Sequence, residues 1–501
     1  MSTPLQQVRE LRGKTGAAAV VGLGAAAIWI TLLAIVGAIA LGGDRGNNNR
    51  VTAGGRPRTG PGAAAPVPGE TVPGDTTPEG QPVGSAGGTA SIAGGAEGGG
   101  SVSGDEGGTT PSPSGGDTTG VTDSEIKIGI HAPITFSGVP LNLAEDPIKG
   151  IHTYTDYINA NGGINGRKIA LDIQDDRYDQ DGARNSAQTL INDDQNFMVS
   201  GTLGIDQIAI VATEAANRGV PYTAAGGVES APIPGMYQVA ASYTTHAQKL
   251  AQFMASDPKL KDLKKVGVIA VDSQFVKPLV EEFKAALAPY GFQVVAAVYN
   301  QKPVDNPPYD SYIATLKQAG TQVLVPLTDP LTTQQIVQRC AGGLGCNWTY
   351  SFSNFAHDSD TALALFTPTW ATQQVRGLSS GCYYMAPEVD GDNCGQMKVA
   401  REQWVAANGE SDWEENGSGG ASGYQIVSFI KGGLLGAGAD LTRERFRDAL
   451  SAYDSYSDLI SGPITFAGSA NTMHGAEKMV VLEAQTNNKY KMISPGFVDG
   501  F

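Results

Sequence analysis

The run Tyr157-Ile158-Asn159-Ala160-Asn161-Gly162-Gly163-Ile164-Asn165-Gly166-Arg167-Lys168-Ile169 holds a helix end, a turn and a strand start in thirteen residues. Residues 146–160 carry helical spacing, and Asn161-Gly162-Gly163 stops the helix, because glycine takes the left-handed cap conformation without a Cβ clash. Lys168 to Gln174 then alternates as a strand. Upstream, Ile126-Lys127-Ile128-Gly129-Ile130 reads as a short apolar strand. Downstream, Ala183, Ala187, Leu190 and Ile191 recur at helical spacing over 181–194, with Asp181 as the expected N-cap. Strands over 197–201 and 220–224 flank a helix over 206–217.

The alternation restarts after residue 264. Strands are expected at 265–271, 292–298, 323–327 and 348–352, and helices at 275–287, 309–318 and 331–340. Short apolar strands that alternate with helices imply a parallel sheet covered on both faces. Two such runs imply two sheets. Past residue 373, helices at 395–407, 421–435 and 442–450 precede short strands at 464–466 and 479–484, a tail expected to complete both lobes.

The N-terminal quarter is different in kind. Residues 17–41 contain no charge and follow Arg9, Arg12 and Lys14. This predicts a transmembrane helix or uncleaved signal anchor with residues 1–16 in the cytoplasm; a signal cleaved after Ala40 is the alternative. Residues 42–122 are dominated by Gly, Pro, Ser and Thr and lack any aromatic. They read as a disordered linker with a root-mean-square reach of about 50 Å. The folded part is therefore 123–501, and it carries most of the net charge of -16. No basic stripe exists, so nucleic acid is not an expected partner.

The segment 126–201 resembles the start of a type I periplasmic binding protein of the branched-chain amino acid-binding family. Ile126-Lys127-Ile128-Gly129, the Ile158 to Lys168 run, Asp175-Asp176 and Val199-Ser200-Gly201 carry the resemblance, and Gly462-Pro463-Ile464 continues it. It implies an α/β fold of two Rossmann-like lobes joined by three crossover strands. Lobe 1 is expected over about 123–240 and 376–463, and lobe 2 over about 241–375 and 464–501. Crossovers are expected near 237–243, 375–387 and 462–467.

By position, the resemblance implies a ligand set of Thr135, Ser137, Asp206, Gln207, Gly227, Glu229, Phe275, Asp329 and Asn354. Members that bind α-amino acids hold the carboxylate with hydroxyls, which Gly204-Ile205-Asp206-Gln207 and Gly226-Gly227-Val228-Glu229 lack. The acid that meets the ammonium aligns near Asn354, which is uncharged. Phe275 keeps the expected aromatic wall. Leucine, isoleucine and valine are thus expected to bind weakly. Asp206, Glu229 and Asp329 favour a cation or a polyhydroxy solute; the ordinary reading of each is a solvated loop acid or a helix cap.

Other patterns point away from chemistry. Gly377-Leu378-Ser379-Ser380-Gly381 fits a nucleophile elbow in letters, but it lacks the strand–turn–helix context. Asp175, Asp176, Asp179 and Asp181 fail the calcium-loop spacing, since Arg177 interrupts them. The five histidines form no close pair, so no metal or cofactor is expected. Cys340, Cys346, Cys382 and Cys394 allow three pairings. Nearest-neighbour pairing, Cys340–Cys346 and Cys382–Cys394, needs only local loops, and four free thiols are the alternative. The expected function is a membrane-tethered, monomeric solute-binding protein that serves an ABC permease with a small polar solute. A ligand-sensing ectodomain is the second reading, and no enzymatic activity is expected.

Overall fold

The computed structural model describes residues 115–501 except 137, 141, 227–232, 301–306, 354–356, 367–368, 373–374, 382–395, 454–459, 462–463, 467–474 and 477. The expected membrane helix and the linker up to residue 114 lie outside the described residues. Among the described residues no helix is long and apolar enough to cross a membrane.

Strands β1 (Glu125–Ala132), β2 (Lys168–Asp175), β3 (Met198–Gly201), β4 (Tyr222–Ala224) and β5 (Met236–Gln238) form an all-parallel sheet in the order β2-β1-β3-β4-β5. A second sheet joins β6 (Lys265–Val271), β7 (Gln293–Asn300), β8 (Val323–Leu327), β9 (Thr349–Ser353), β10 (Arg376–Ser379), β11 (Val480–Ala484) and β12 (Tyr490–Met492), in the order β12-β11-β10-β9-β8-β6-β7. Only β11 and β12 run antiparallel to their neighbours.

Both sheets are covered on two faces, as buried parallel strands require. In the first lobe, helix Asn142–Ala160 sends Ile151 and Tyr154 into one side. The other side is covered by helices Gln180–Ala187 and Ile205–Asn217, through Ala183, Ile208, Val211 and Ala215. In the second lobe, Phe253 and Phe283 pack on one face and Leu316 and Ile336 on the other. The largest core cluster contains residues of both lobes, so the lobes share apolar packing where the chain crosses between them.

The crossing segments lie side by side. Gly381 pairs antiparallel with Ser461, and Ile464 with Ala476. Gly475 donates its N–H to the Gln238 carbonyl at 2.8 Å. Strand β10 is hydrogen-bonded within the second sheet, so the chain leaves the second lobe past Ser379.

Helix Glu410–Ala437 returns to the first lobe and packs backbone to backbone against helix Asn142–Ala160. A Cβ on Gly150 would stand 2.3 Å from the Gly420 carbonyl oxygen, and one on Gly423 2.5 Å from the Pro147 oxygen. Only glycine permits this approach. It explains why the helix runs through Asn416 to Gly420, where the sequence predicts no helix before Ala421.

One further expectation is corrected. Asp179, not Asp181, caps the helix that follows β2; it accepts the Gly182 N–H at 2.6 Å. Helix Tyr243–Ser256, capped by Ser242, fills the gap between the two alternating runs. In keeping with the missing elbow context, Ser379 is fully buried at the end of β10, and its hydroxyl donates to Asp358 Oδ2 at 2.5 Å.

Candidate functional site

A cleft of about 660 Å³ opens between the lobes. Its walls are the segments just past the carboxyl ends of the parallel strands: Thr202–Gln207 after β3, Ala225–Gly226 after β4, Asp272 after β6, Asp329 after β8 and Ser380 after β10. Parallel α/β sheets place ligands at this edge, because strand ends and helix N-termini expose backbone N–H groups there.

Local sequence sets each wall. Gly204 begins helix Ile205–Asn217 at φ 108°, a conformation that glycine takes without strain. A Cβ there would also strike the Gln207 side chain, 2.4 Å away. Asp329 caps helix Pro330–Arg339: it accepts the Thr332 N–H at 3.0 Å and hydroxyls from Thr332 and Thr328. Arg177 and Tyr178 adopt left-handed backbone (φ 53° and 54°), held by N–H bonds to Asp175 and Asp176. Two successive non-glycine residues in that region are uncommon, and such strain collects at binding sites.

Beneath this turn lies a buried chain of polar groups. His131 Nδ1 meets Asp176 Oδ2 at 2.7 Å, and His131 Nε2 meets Tyr222 Oη at 2.7 Å. All three residues are fully buried, and burial pushes the Tyr222 hydroxyl well above its ordinary value. This chain ties the ends of β1, β2 and β4 together under the cleft.

The sequence-predicted residues are only partly brought together. Asp206, Gln207 and Asp329 line the cleft. Thr135 does not; its hydroxyl donates to Asp175 Oδ2 at 2.6 Å and holds a turn. Phe275 is absent from the lining and packs instead against the first lobe's Ile208 cluster. Ser137, Gly227, Glu229 and Asn354 lie outside the described residues.

Sequence reading missed Asp146, Tyr243, Asp272, Asp358, Ser418, Gly419 and Ser422, all of which line the cleft. Asp146 and Ser418–Ser422 sit within long helices, where no strand-end signal points to them. The hydroxyls absent from the expected loops are supplied elsewhere, by Thr202, Ser380, Ser418 and Ser422.

The lining holds seven aspartates against two arginines, so the cleft is acidic. Arg177 lies 3.8 Å from Asp179, and Arg184 2.8 Å from Asp181, and both arginine side chains are about half exposed. Burial, reinforced by Glu145, raises Asp146 to about 6; burial alone raises Asp358 to about 6. Cys340 and Cys346 form a disulfide at the end of helix Pro330–Arg339, their Cα atoms 5.1 Å apart. Cys382 and Cys394 lie outside the described residues.

A family model described as periplasmic binding protein matches residues 125–489. Among curated relatives, Leu/Ile/Val-binding protein homolog 3 of Brucella melitensis is 27% identical over 204 residues, 40% of this chain and 54% of its own. The chain spans about half the length of the curated relatives it matches.

Among solved structures, a fatty acid ABC transporter substrate-binding protein from Thermomonospora curvata has a TM-score of 0.62 at 18% identity, over 77% of this chain and 95% of that one. A solute-binding protein of an ABC transporter from R. palustris, in complex with benzoate, has a TM-score of 0.60 at 16% identity, over 75% and 96%. These two similarities establish the fold alone. The family consists of solute-binding proteins, not enzymes. The lobes, the strand-end cleft and the match over 125–489 agree: the chain belongs to the periplasmic binding protein family, in its type I, leucine-binding-protein-like branch.

Proposed function

We propose that this protein is the extracytoplasmic solute-binding component of an ABC importer. Residues 17–41 hold it in the cell membrane as a single-pass anchor, and 42–122 let the folded part stand off. It acts as a monomer. It closes on one small polar solute and presents it to the permease.

The cleft carries this reading. Its volume suits a small molecule. Both lobes supply walls, so occupancy is linked to lobe closure, and closure is a signal a transporter can read. Structural relatives with named ligands include proteins for a fatty acid and for benzoate, so the fold admits chemically distinct solutes. Asp206, Gln207 and Asp329 line the cleft, and in this reading they touch the ligand.

Thermal unfolding of the full chain against amino acids, amides, amines, sugars and aromatic acids tests the proposal. A true ligand at 100 times its Kd adds about 2.7 kcal/mol. One solute class should raise the midpoint by several degrees, whereas a flat response to every class would contradict a solute-binding role.

A further inference from the structure

Arg177 and Tyr178 line the cleft in a left-handed backbone that non-glycine residues seldom keep unaided. Asp176 holds them there. Its Oδ1 accepts the Tyr178 N–H at 3.0 Å, and its backbone carbonyl accepts the Asp179 N–H at 3.2 Å. Its other carboxylate oxygen turns inward to His131 Nδ1, 2.7 Å away. One buried side chain thus carries the wall turn on one oxygen and a buried histidine on the other.

His131 belongs to β1, yet it reaches Tyr222 on β4, two strands away in the order β2-β1-β3-β4-β5. Neighbouring strands lie about 4.8 Å apart, so the contact must pass over β3. It passes over Gly201, the register partner of His131 on β3. A Cβ on Gly201 would stand 2.2 Å from Tyr222 Oη and 2.7 Å from His131 Nε2. Glycine leaves the gap that this hydrogen bond fills. The His131 carbonyl holds a second wall: it accepts the N–H and the hydroxyl of Thr202, a lining residue, at 3.2 and 3.3 Å.

The bonds also fix the imidazole tautomer. Burial keeps the Tyr222 hydroxyl well above its ordinary value, so it retains its proton. Among the described residues, that hydroxyl has no hydrogen-bond partner but His131 Nε2. It therefore donates to Nε2, and Nδ1 is left with the proton that Asp176 takes. Three buried polar groups are matched with none spare, and a fully satisfied network specifies one arrangement. An apolar residue at 131 would fill the space, but it would leave Asp176 Oδ2 buried without a donor.

We propose that His131 is a positioning residue of the solute site. Locked by Tyr222 as the Nδ1–H tautomer, it aims Asp176 so that the Arg177–Tyr178 turn stands in its binding pose before any solute arrives. A wall set in advance spares binding the cost of ordering it. That the wall meets a solute rests on the solute-binding reading above; the preset turn is a property of the unliganded chain.

Amide hydrogen exchange and histidine nitrogen NMR on the unliganded full chain test this. The His131 signal, assigned by its loss in either variant below, should be that of the Nδ1–H tautomer. The Nε2–H tautomer would overturn the proposal. An asparagine amide overlies Nδ1 and can still donate to Asp176, whereas a glutamine amide overlies Nε2 and reaches Tyr222 instead. Exchange at the Tyr178 N–H, taken relative to Ile128 and Ile130 of β1, should stay close to wild type in His131→Asn. In His131→Gln it should rise about tenfold, as the loss of one hydrogen bond to a carboxylate implies.

A residue that only supports the fold would affect both variants in step with lost stability. Equal exchange at Tyr178 in the two variants, or a rise that merely follows Ile128 and Ile130, would therefore overturn the proposal. If neither His131 variant folds, Tyr222→Phe keeps the test decisive, since it removes a single hydroxyl. It should unlock the tautomer and speed exchange at Tyr178, and an unchanged Tyr178 rate would overturn the proposal. No solute enters these measurements, so their failure is separate from failure of the solute-binding reading.

Discussion

Ser273, just past β6 in the second lobe, donates its hydroxyl to Asp206 Oδ1 in the first lobe at 2.5 Å. The bond bridges the two lobes beside the cleft, and Phe275, two residues on, rests against the first-lobe core cluster. Together they latch the lobes. Ser273→Ala removes the hydrogen bond and leaves the cleft lining unchanged. A hydrogen bond to a charged group contributes about 1.5–3 kcal/mol, less where water competes. Ligand affinity should fall about tenfold, chiefly through faster dissociation in stopped-flow measurements. An unchanged dissociation rate would show that the contact does not hold the closed form.

Asp358 predicts an unusual pH dependence of stability. Its folded-state value, about 6, lies above the ordinary 3.8. The folded protein thus holds this proton more tightly than the unfolded chain does. The resulting stabilisation is fully present below the unfolded value and is lost as pH rises through 6. At pH 8 the ionised, buried carboxylate costs on the order of 2–3 kcal/mol. Asp358→Asn should therefore raise the melting temperature of the unliganded protein at about pH 8 and converge with wild type near pH 4. A lower melting temperature for the variant at pH 8 would refute the assignment.

Arg376 joins two chain segments through charge. Its Nη1 lies 2.5 Å from Asp257 Oδ2 and its Nε 2.6 Å from Glu483 Oε2. Asp257 is 5% exposed, so removing the guanidinium leaves a buried, unmatched acid. Arg376→Ala should cost about 3 kcal/mol, read from urea midpoints. A loss below about 0.5 kcal/mol would place this triad among weak surface pairs.

The Cys340–Cys346 bridge closes a short loop through Gly342, Gly343 and Gly345. Loop-closure entropy assigns it about 2 kcal/mol. Peptide mapping without reductant should recover this pair, and a Cys346→Ser variant should melt several degrees lower. The same map reports whether Cys382 pairs with Cys394. Recovery of a crossed pair would contradict the local-loop argument.

The sequence was most legible where burial and periodicity agree. Lys265–Val271, Tyr309–Gln318 and Val323–Leu327 fall at their expected bounds, because each is an apolar run or stripe with clear ends. Helix Tyr243–Ser256 had a readable signal in Ser242 and in Tyr243, Ala247, Leu250 and Met254, but its polar residues hid the stripe. The first half of helix Glu410–Ala437 was not legible. Asn416, Gly417, Gly419 and Gly420 have weak helix propensity, and a tertiary contact overrides it.

The site divides the same way. Asp206, Gln207 and Asp329 follow strand ends and were found by position. Asp146, Ser418, Gly419 and Ser422 reach the cleft from long helices that only folding brings there. Phe275 was expected as the ligand's aromatic wall, but it is absent from the lining and rests against the opposite lobe's core.

The claim that a solute binds between the lobes is tested most directly by amide hydrogen exchange of the full chain. The solute that most stabilises the protein would be compared with no solute. Protection should rise together at Thr202–Gln207 and Ala225–Gly226 of the first lobe and at Asp272–Phe275, Asp329–Thr332 and Asp358–Asp360 of the second. Protection confined to one lobe, or gathered away from these strand ends, would contradict it.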